Sequence, residues 1–587
     1  MMFNVDPITF EILKNAFKAT ANDINATLFR TAYSPVITSG RDIGTGIFTG
    51  DGRLVAHSDY DEPIFSGVLE FACKGAINHF KEEGISVGDI VIMNDPFVGG
   101  THFNDVSVIR PIFYEGTLLA FVAVIGHWSD VGGFLPGSFA PNAREYYGEG
   151  LRIPPVKLYK EGKLDRDVYD LIVFNMRLEN ERKGDIRGQL SATLMGEKRL
   201  HHYVNKYGLD TVTQTMEEVI AYSERILRSE ISNMPDGEYS WTDFIDIESL
   251  DFPYPKKVHL TIKKKGDEIL FDFTGSDSES RSAANSTYPT TIGGIVVATK
   301  ALFPEELFPM NHGCYEPLHV VAPEGTVVNA KPPAALSGMA ATTYEKIIAV
   351  CLGAYSQMVP EKVMAAPYNL INLTIGGTDP STRQQYVAYI YSEGGYGGRS
   401  SKDGNDALVS LYGGGARITP VEVYERSYPI LFKEWRLCTD SGGPGKFRGG
   451  LGSVKRAVLT RGEAVVTSLG DRERFPAFGL FGGKHGAPQG LRLNIETENK
   501  NLTVKCVGYR ITEGDEICIF SGGGGGYGDP FDRDPQMVLE DVIDEYCSIE
   551  NAKKEYGVVI DPITYAINQE ETLALRRLSK DRRKGAT

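Results

Sequence analysis

The seven cysteines of this 587-residue chain stand at 73, 314, 351, 438, 506, 518 and 547, and no two form a C-x-x-C pair. An odd, dispersed set excludes a disulfide-stapled scaffold and a zinc ribbon; it reads as free buried thiols in a reducing compartment. Positive charge is scarce too. Lysine plus arginine number 61 against 77 acidic residues, a net charge of −16, which excludes a surface built mainly for nucleic acid or an anionic membrane. The longest apolar run, Leu118 to Ile125, is far below the ~20 residues that cross a bilayer. The opening Met1-Met2-Phe3-Asn4-Val5-Asp6 lacks the basic and apolar regions of a signal peptide. A cytoplasmic protein acting on small molecules is therefore expected. No glycine-rich segment ends in G-K-[ST], no serine sits in a G-x-S-x-G elbow, and no cysteine stands in a nucleophile setting, so a phosphate loop and covalent catalysis both lose ground.

Glycine is what the chain has in excess: 65 residues, about 11% against a usual ~7%. Five of them run together at Gly522–Gly526, and others cluster at Gly413–Gly415 and through Gly442–Gly452. Between strand-type segments these read as tight turns and close backbone approaches. Asp6-Pro7 marks a helix start, and Phe10, Leu13, Phe17, Ala21, Ile24 and Leu28 continue it at helical spacing to about Tyr33. Gly50-Asp51-Gly52 joins two strands. Phe71–Glu83 reads as a helix and Asp89–Met93 as a short buried strand. Helical composition returns at Arg187–Leu200 and Leu209–Met234; strands then dominate from about 253 to 520, broken by one helix near 342–357, and two helices follow near 535–556 and 567–582. The expected class is α+β, a mixed, β-rich, multi-domain chain. Its parts are an N-terminal α/β region over 1–250, a glycine-rich, mainly β region over 251–530, and a C-terminal helical segment over 531–587.

The chemistry concentrates at one hairpin. Val106–Phe113 and Thr117–Ile125 flank a turn centred near Gly116, which sets Asp105 opposite His127, with His102 one loop away. Two imidazoles and a carboxylate suit Zn, Mn, Fe or Co, leaving coordination positions open. H-x-x-D alone is a common chance match; two of only ten histidines at one hairpin mouth raise its weight. Asp42 opens a neighbouring strand, as a further ligand or as a turn residue paired with Arg41. Asp95, before Pro96, reads as a turn residue. Asp130, three residues after His127, is the candidate general base or ligand-orienting group, or an exposed turn residue. His201, His202, His312 and His319 lack carboxylate company at ligand spacing and read as structural.

Several ordered blocks resemble the hydantoinase B/oxoprolinase family: Asp6-Pro7-Ile8-Thr9-Phe10-Glu11, Asn94 through Asp105, Gly126 through Gly133, Glu149 through Pro155, Gly184-Asp185 with Gln189, Ser441 through Gly452, and Gly522 through Pro530. The resemblance implies the metal-bearing hydantoinase B-type component of an ATP-dependent cyclic-amide hydrolase, acting on hydantoins, 5-oxoproline or other lactams. It further implies a hydantoinase A-type ATPase partner that phosphorylates the substrate carbonyl, in a hetero-oligomer such as a heterotetramer. His102, Asp105 and His127 match the family's metal motif and Asp42 matches an additional ligand, with Zn or Mn the expected ion and ATP used by the partner. A ketone carboxylase component, acting on acetone- or acetophenone-type ketones with bicarbonate, and a non-catalytic scaffold for the ATPase are the alternatives. Chain length favours the hydrolase branch.

Overall fold

The structure, a computed structural model, describes residues 5–584; the first four and last three residues of the expected outer regions lie outside it. Among the described residues, four sheets and helices in every region make a mixed α+β chain, and no helix is long and apolar enough to cross a membrane. Strands β1 (Ile43–Thr49), β2 (Leu54–Ala56), β3 (Ile90–Met93), β4 (Asp105–Tyr114), β5 (Thr117–His127), β6 (Val156–Lys160) and β7 (Lys163–Leu164) form one antiparallel sheet in the order β2-β1-β5-β4-β3-β6-β7. Its centre is covered on both faces. Ile109, Phe121, Ala123 and Ile125 share a core with Phe65, Val68 and Leu69 of the Pro63–His79 helix. Val108, Val122 and Val124 share another with Phe17, Ile24 and Leu28 of the Pro7–Thr31 helix. Alternate residues leave a strand on opposite faces, so a strand buried on both reads as the unbroken apolar run at 118–125. The Pro7–Thr31 helix begins as expected: the Asp6 carboxylate accepts from the Thr9 amide at 2.8 Å, and Pro7 takes the first turn.

Three expectations shift. The helix placed at Phe71–Glu83 spans Pro63–His79, because Pro63 tolerates the first turn and Ile64, Phe65 and Val68 extend the buried stripe upstream. A second long helix, Tyr288–Lys300, accompanies the expected one, which spans Thr343–Met358, and a short one occupies Val421–Ser427. The β-branched runs and paired glycines of Tyr288–Lys300 argue against a helix on propensity. Packing overrides them: a Cβ on Gly67 would lie 2.7 Å from the Cα of Gly293, so the two helices cross at backbone contact. The C-terminal segment forms three helices, Pro535–Ile543, Ile549–Tyr556 and Gln569–Lys584, rather than two. The break falls where Ser548 caps a new helix by accepting from the Asn551 amide at 3.1 Å.

The Gly522–Gly526 run is buried, and its amides are spent on neighbouring extended segments. Gly524 donates to the Gly450 carbonyl at 3.0 Å and Gly526 to that of Lys484 at 2.9 Å, while the Gly395, Gly443 and Gly398 amides donate to the carbonyls of Gly522, Gly524 and Gly525. These amides hold backbone, not phosphate.

Candidate metal centre

Three neighbouring strands end together. β4 begins at Asp105, which pairs with His127 at the end of β5, and β1 pairs Ile43 with Gly126, so the His127 amide reaches the Asp42 carbonyl at 3.0 Å. Asp42, His127 and Asp105 thus stand in a row at one sheet edge. His102 arrives on the loop after β3, whose shape is pinned from within. Asn94 donates to the Phe103 and Leu151 carbonyls at 2.7 and 2.9 Å, and the Asp95 carbonyl accepts from the Val98, Gly99 and Gly100 amides. The Asp95 carboxylate accepts from the Phe97 amide and from Arg152, the turn role expected of it. The loop lies directly on the Pro63–His79 helix: a Cβ on Gly99 would meet the Ala72 amide nitrogen at 2.2 Å.

Asp105 sits between the two imidazoles. Its Oδ1 is 2.9 Å from His127 Nδ1 and its Oδ2 is 2.9 Å from His102 Nδ1; Asp42 Oδ2 lies 3.8 Å from His127 Nδ1. Thr101 donates to Asp105, and the Tyr391 hydroxyl to Asp42. Tyr389 stacks on the His127 ring at 5.1 Å between centroids. Tyr389 and Tyr391 come from the Gln385–Tyr391 strand of another sheet, laid over the hairpin mouth. Beside Asp42 lies Glu62, just before the Pro63–His79 helix, with its carboxyl in contact with that of Asp42. Asp42, Glu62, His102, Asp105 and His127 are each at least 96% buried, and the space they enclose with Tyr389, Tyr391 and Tyr412 is about 20 Å³.

A divalent cation fits this donor set. One donor atom from each of His102, Asp105 and His127 lies within 4.8 Å of the others, and imidazole nitrogen with carboxylate oxygen is a donor set such ions take. His102 Nδ1 makes no hydrogen bond although Asp105 is so close, and His127 Nε2 and Glu62 Oε1 are also buried without partners; such orphans are rare in a folded protein. Among the described residues lining the pocket, three carboxyls meet no lysine or arginine. Burial, then the Asp105 charge, pushes the Asp42 carboxyl well above the usual carboxylate range. Burial, then the Asp42 and Asp105 charges, does the same to Glu62. Burial would also raise Asp105, but the two histidines hold it well below that range. In turn burial, which lowers an imidazole, prevails at His127 and is overcome at His102 by Asp105. Buried, mutually repelling carboxylates call for a positive charge.

The structure does not support Asp130 as the base. Fully buried, its carboxylate accepts from the Gly132 and Gly137 amides at 2.9 Å and from Arg177 Nη1 at 2.9 Å. It ties the 130–138 loop together and is not among the residues lining the pocket. His312 is likewise better accompanied than its sequence neighbourhood suggested, with Glu70 at 2.7 Å and Glu316 at 2.9 Å. Sequence reasoning missed Glu62, Tyr389, Tyr391 and Tyr412, which converge from distant segments. Only Glu62 left a signal: an acidic residue at a helix start whose side chain caps nothing.

Comparison with known proteins places the chain in a family. The family model for hydantoinase B/oxoprolinase matches residues 6–530. The chain is 31% identical over 591 residues to the B component of a putative D-/L-hydantoinase of Pseudomonas sp. (strain NS671), covering 98% of each. It is 32% identical over 572 residues to the beta chain of the caprolactamase of Pseudomonas jessenii, covering 95% of this chain and 97% of that one. The crystal structure of the ATP-dependent caprolactamase superposes with a TM-score of 0.90 at 29% identity, over 98% of this chain and all of that one. Acetone carboxylase shares the fold, with a TM-score of 0.92 at 22% identity over 99% of this chain and 84% of that one. The chain belongs to the hydantoinase B/oxoprolinase family.

Proposed function

We propose that the chain is the cation-bearing component of an ATP-dependent cyclic-amide hydrolase, working in the cytoplasm with a hydantoinase A-type ATPase partner in a hetero-oligomer. The observation that carries this is the pocket itself, where two imidazoles and three carboxyls converge with orphaned donor atoms and no basic residue to neutralise them. His102, Asp105 and His127 would hold a divalent ion, Zn or Mn by donor type, with Asp42 completing the set. When bound, such an ion supplies Lewis acidity and eases the ionisation of water near neutral pH.

The chain's own residues do the rest. Tyr391 fixes the Asp42 carboxyl from outside, Asp105 orients both imidazoles, and Tyr389 roofs His127, keeping bulk water out. Glu62 Oε1, buried and unpartnered in the pocket, is placed to take the proton of the attacking water once the charge of a bound cation favours its carboxylate form. An amide carbonyl is a weak electrophile. Transfer of the ATP γ-phosphoryl to its oxygen on the partner makes the carbon attackable; one water attacks it and the ring nitrogen leaves, giving an acyl phosphate that a second water hydrolyses. One lactam, one ATP and two waters yield the amino acid, ADP and phosphate.

The test is ATP hydrolysis by the chain co-purified with its A-type partner. Hydantoin, 5-oxoproline or caprolactam alone should stimulate it. Stimulation only by a ketone with bicarbonate would replace the reading with a carboxylase, and unchanged turnover in His102→Ala would leave the chain a scaffold.

A further inference from the structure

The pocket of about 20 Å³ holds one water or ion and is far too small for an amide ring. Against it lies a cavity of about 540 Å³, within the range of small-molecule sites. Two segments separate these spaces, and each shows residues to both. In the first, His57, Asp59 and Pro63 line the cavity while Glu62, Ile64 and Phe65 line the pocket. In the second, Leu411 and Gly414 line the cavity while Tyr412 lines the pocket. Gly413 falls between the cavity-lining Leu411 and Gly414, and a Cβ on it would lie 3.6 Å from Glu62 Oε2.

We propose that this cavity binds the cyclic amide as an uncharged ring before it passes to the partner for activation, on the side of the partition away from the cation; this rests on the hydrolase reading above. The cavity offers a ring an apolar bed in Val219, Val297, Phe303 and Met310. It offers no net charge to a carboxylate, because Lys14, Lys18 and Lys300 stand against Asp59, Asp61 and Glu306 among its described lining residues. The lysines are also engaged: Lys18 pairs with Asp59 at 2.6 Å, Lys14 with Glu11 at 2.8 Å, and Lys300 donates to the Phe308 carbonyl at 3.1 Å. His57, with Nδ1 3.1 Å from Ser66 Oγ, adds a half-buried imidazole as a polar contact for the amide. An apolar site with few polar groups selects for shape and one or two hydrogen bonds rather than for charge.

The experiment titrates the full chain, without ATP or partner, with ε-caprolactam, 2-pyrrolidone and 5-oxoproline by ligand-observed NMR. The last two share a ring and differ by a carboxylate. Saturable binding of the neutral lactams is expected, with 5-oxoproline at least tenfold weaker. Ala301→Trp, at an exposed position lining the cavity, should weaken the neutral lactams at least tenfold while cation content stays at the wild-type level. Absent saturable binding, equal affinity for 5-oxoproline, or unchanged affinity in Ala301→Trp would each overturn the proposal. The readout needs neither turnover nor cation, so a chain that binds lactam but carries no ion would remove the metal-centre reading and leave this one standing.

Discussion

Gly524→Ala isolates what the glycine excess does. An added Cβ would lie 2.0 Å from the Tyr396 carbonyl oxygen, 2.2 Å from its carbon and 2.7 Å from the Gly397 nitrogen, all backbone atoms that no rotamer change can move aside. Those segments are themselves tied in: Gly524 donates to Gly450, Gly443 donates to Gly524, and the Gly450 amide donates to the Tyr396 carbonyl. Relief therefore requires separating hydrogen-bonded strands by about an ångström, beyond ordinary overpacking of about 1–3 kcal/mol. We expect a loss of at least ~3 kcal/mol, which lowers the thermal midpoint by roughly 6–12 °C for a cooperative unit of about 200 residues. The assay is thermal unfolding of the full chain, with hydrogen exchange reporting on 395–398, 441–452 and 522–528. Gly490→Ala, whose Cβ would meet nothing closer than 3.9 Å, is the control. A Gly524→Ala protein that melts and exchanges like wild type would refute the reasoning.

Other expectations follow from single side chains. Tyr391→Phe removes the donor to Asp42 and should weaken cation affinity by about 10–100-fold, read by chelator competition. Asp130→Ala strands Arg177 and two loop amides, so stability should fall by roughly 3 kcal/mol with cation content retained; a normal melting curve with lost turnover would instead restore it as the base. Burial, then the Asp471 charge, pushes the Asp246 carboxyl up to about 6. Its folded pKa exceeds the unfolded value, so stability from this group is full below about pH 4, declines as pH rises to about 6 and is then flat. The decline is at most roughly 3 kcal/mol, and denaturant titrations of Asp246→Asn should lack it.

The candidate site was legible in sequence wherever local geometry decided it. Hairpin symmetry alone placed Asp105 opposite His127, because register about a short turn is arithmetic. The family resemblance, not spacing, favoured Asp42 as a ligand, and the sheet order brings it to the same edge, since β1 pairs with β5. The tyrosines were invisible because they arrive from segments up to 349 residues away, as Tyr391 does to Asp42, and no local pattern encodes such convergence. Asp130 misled through proximity in sequence; its side chain serves its own loop. The Tyr288–Lys300 helix was missed for a related reason, since its glycines weaken an isolated helix and permit the crossing that stabilises it here.

The central claim is that His102 and His127 share one ion with Asp105. Elemental analysis of the purified chain, alongside His102→Ala and His127→Ala with folding verified by circular dichroism, tests it most directly. Wild type should carry Zn or Mn near stoichiometry and both variants should lose it; full occupancy in both folded variants would contradict the account.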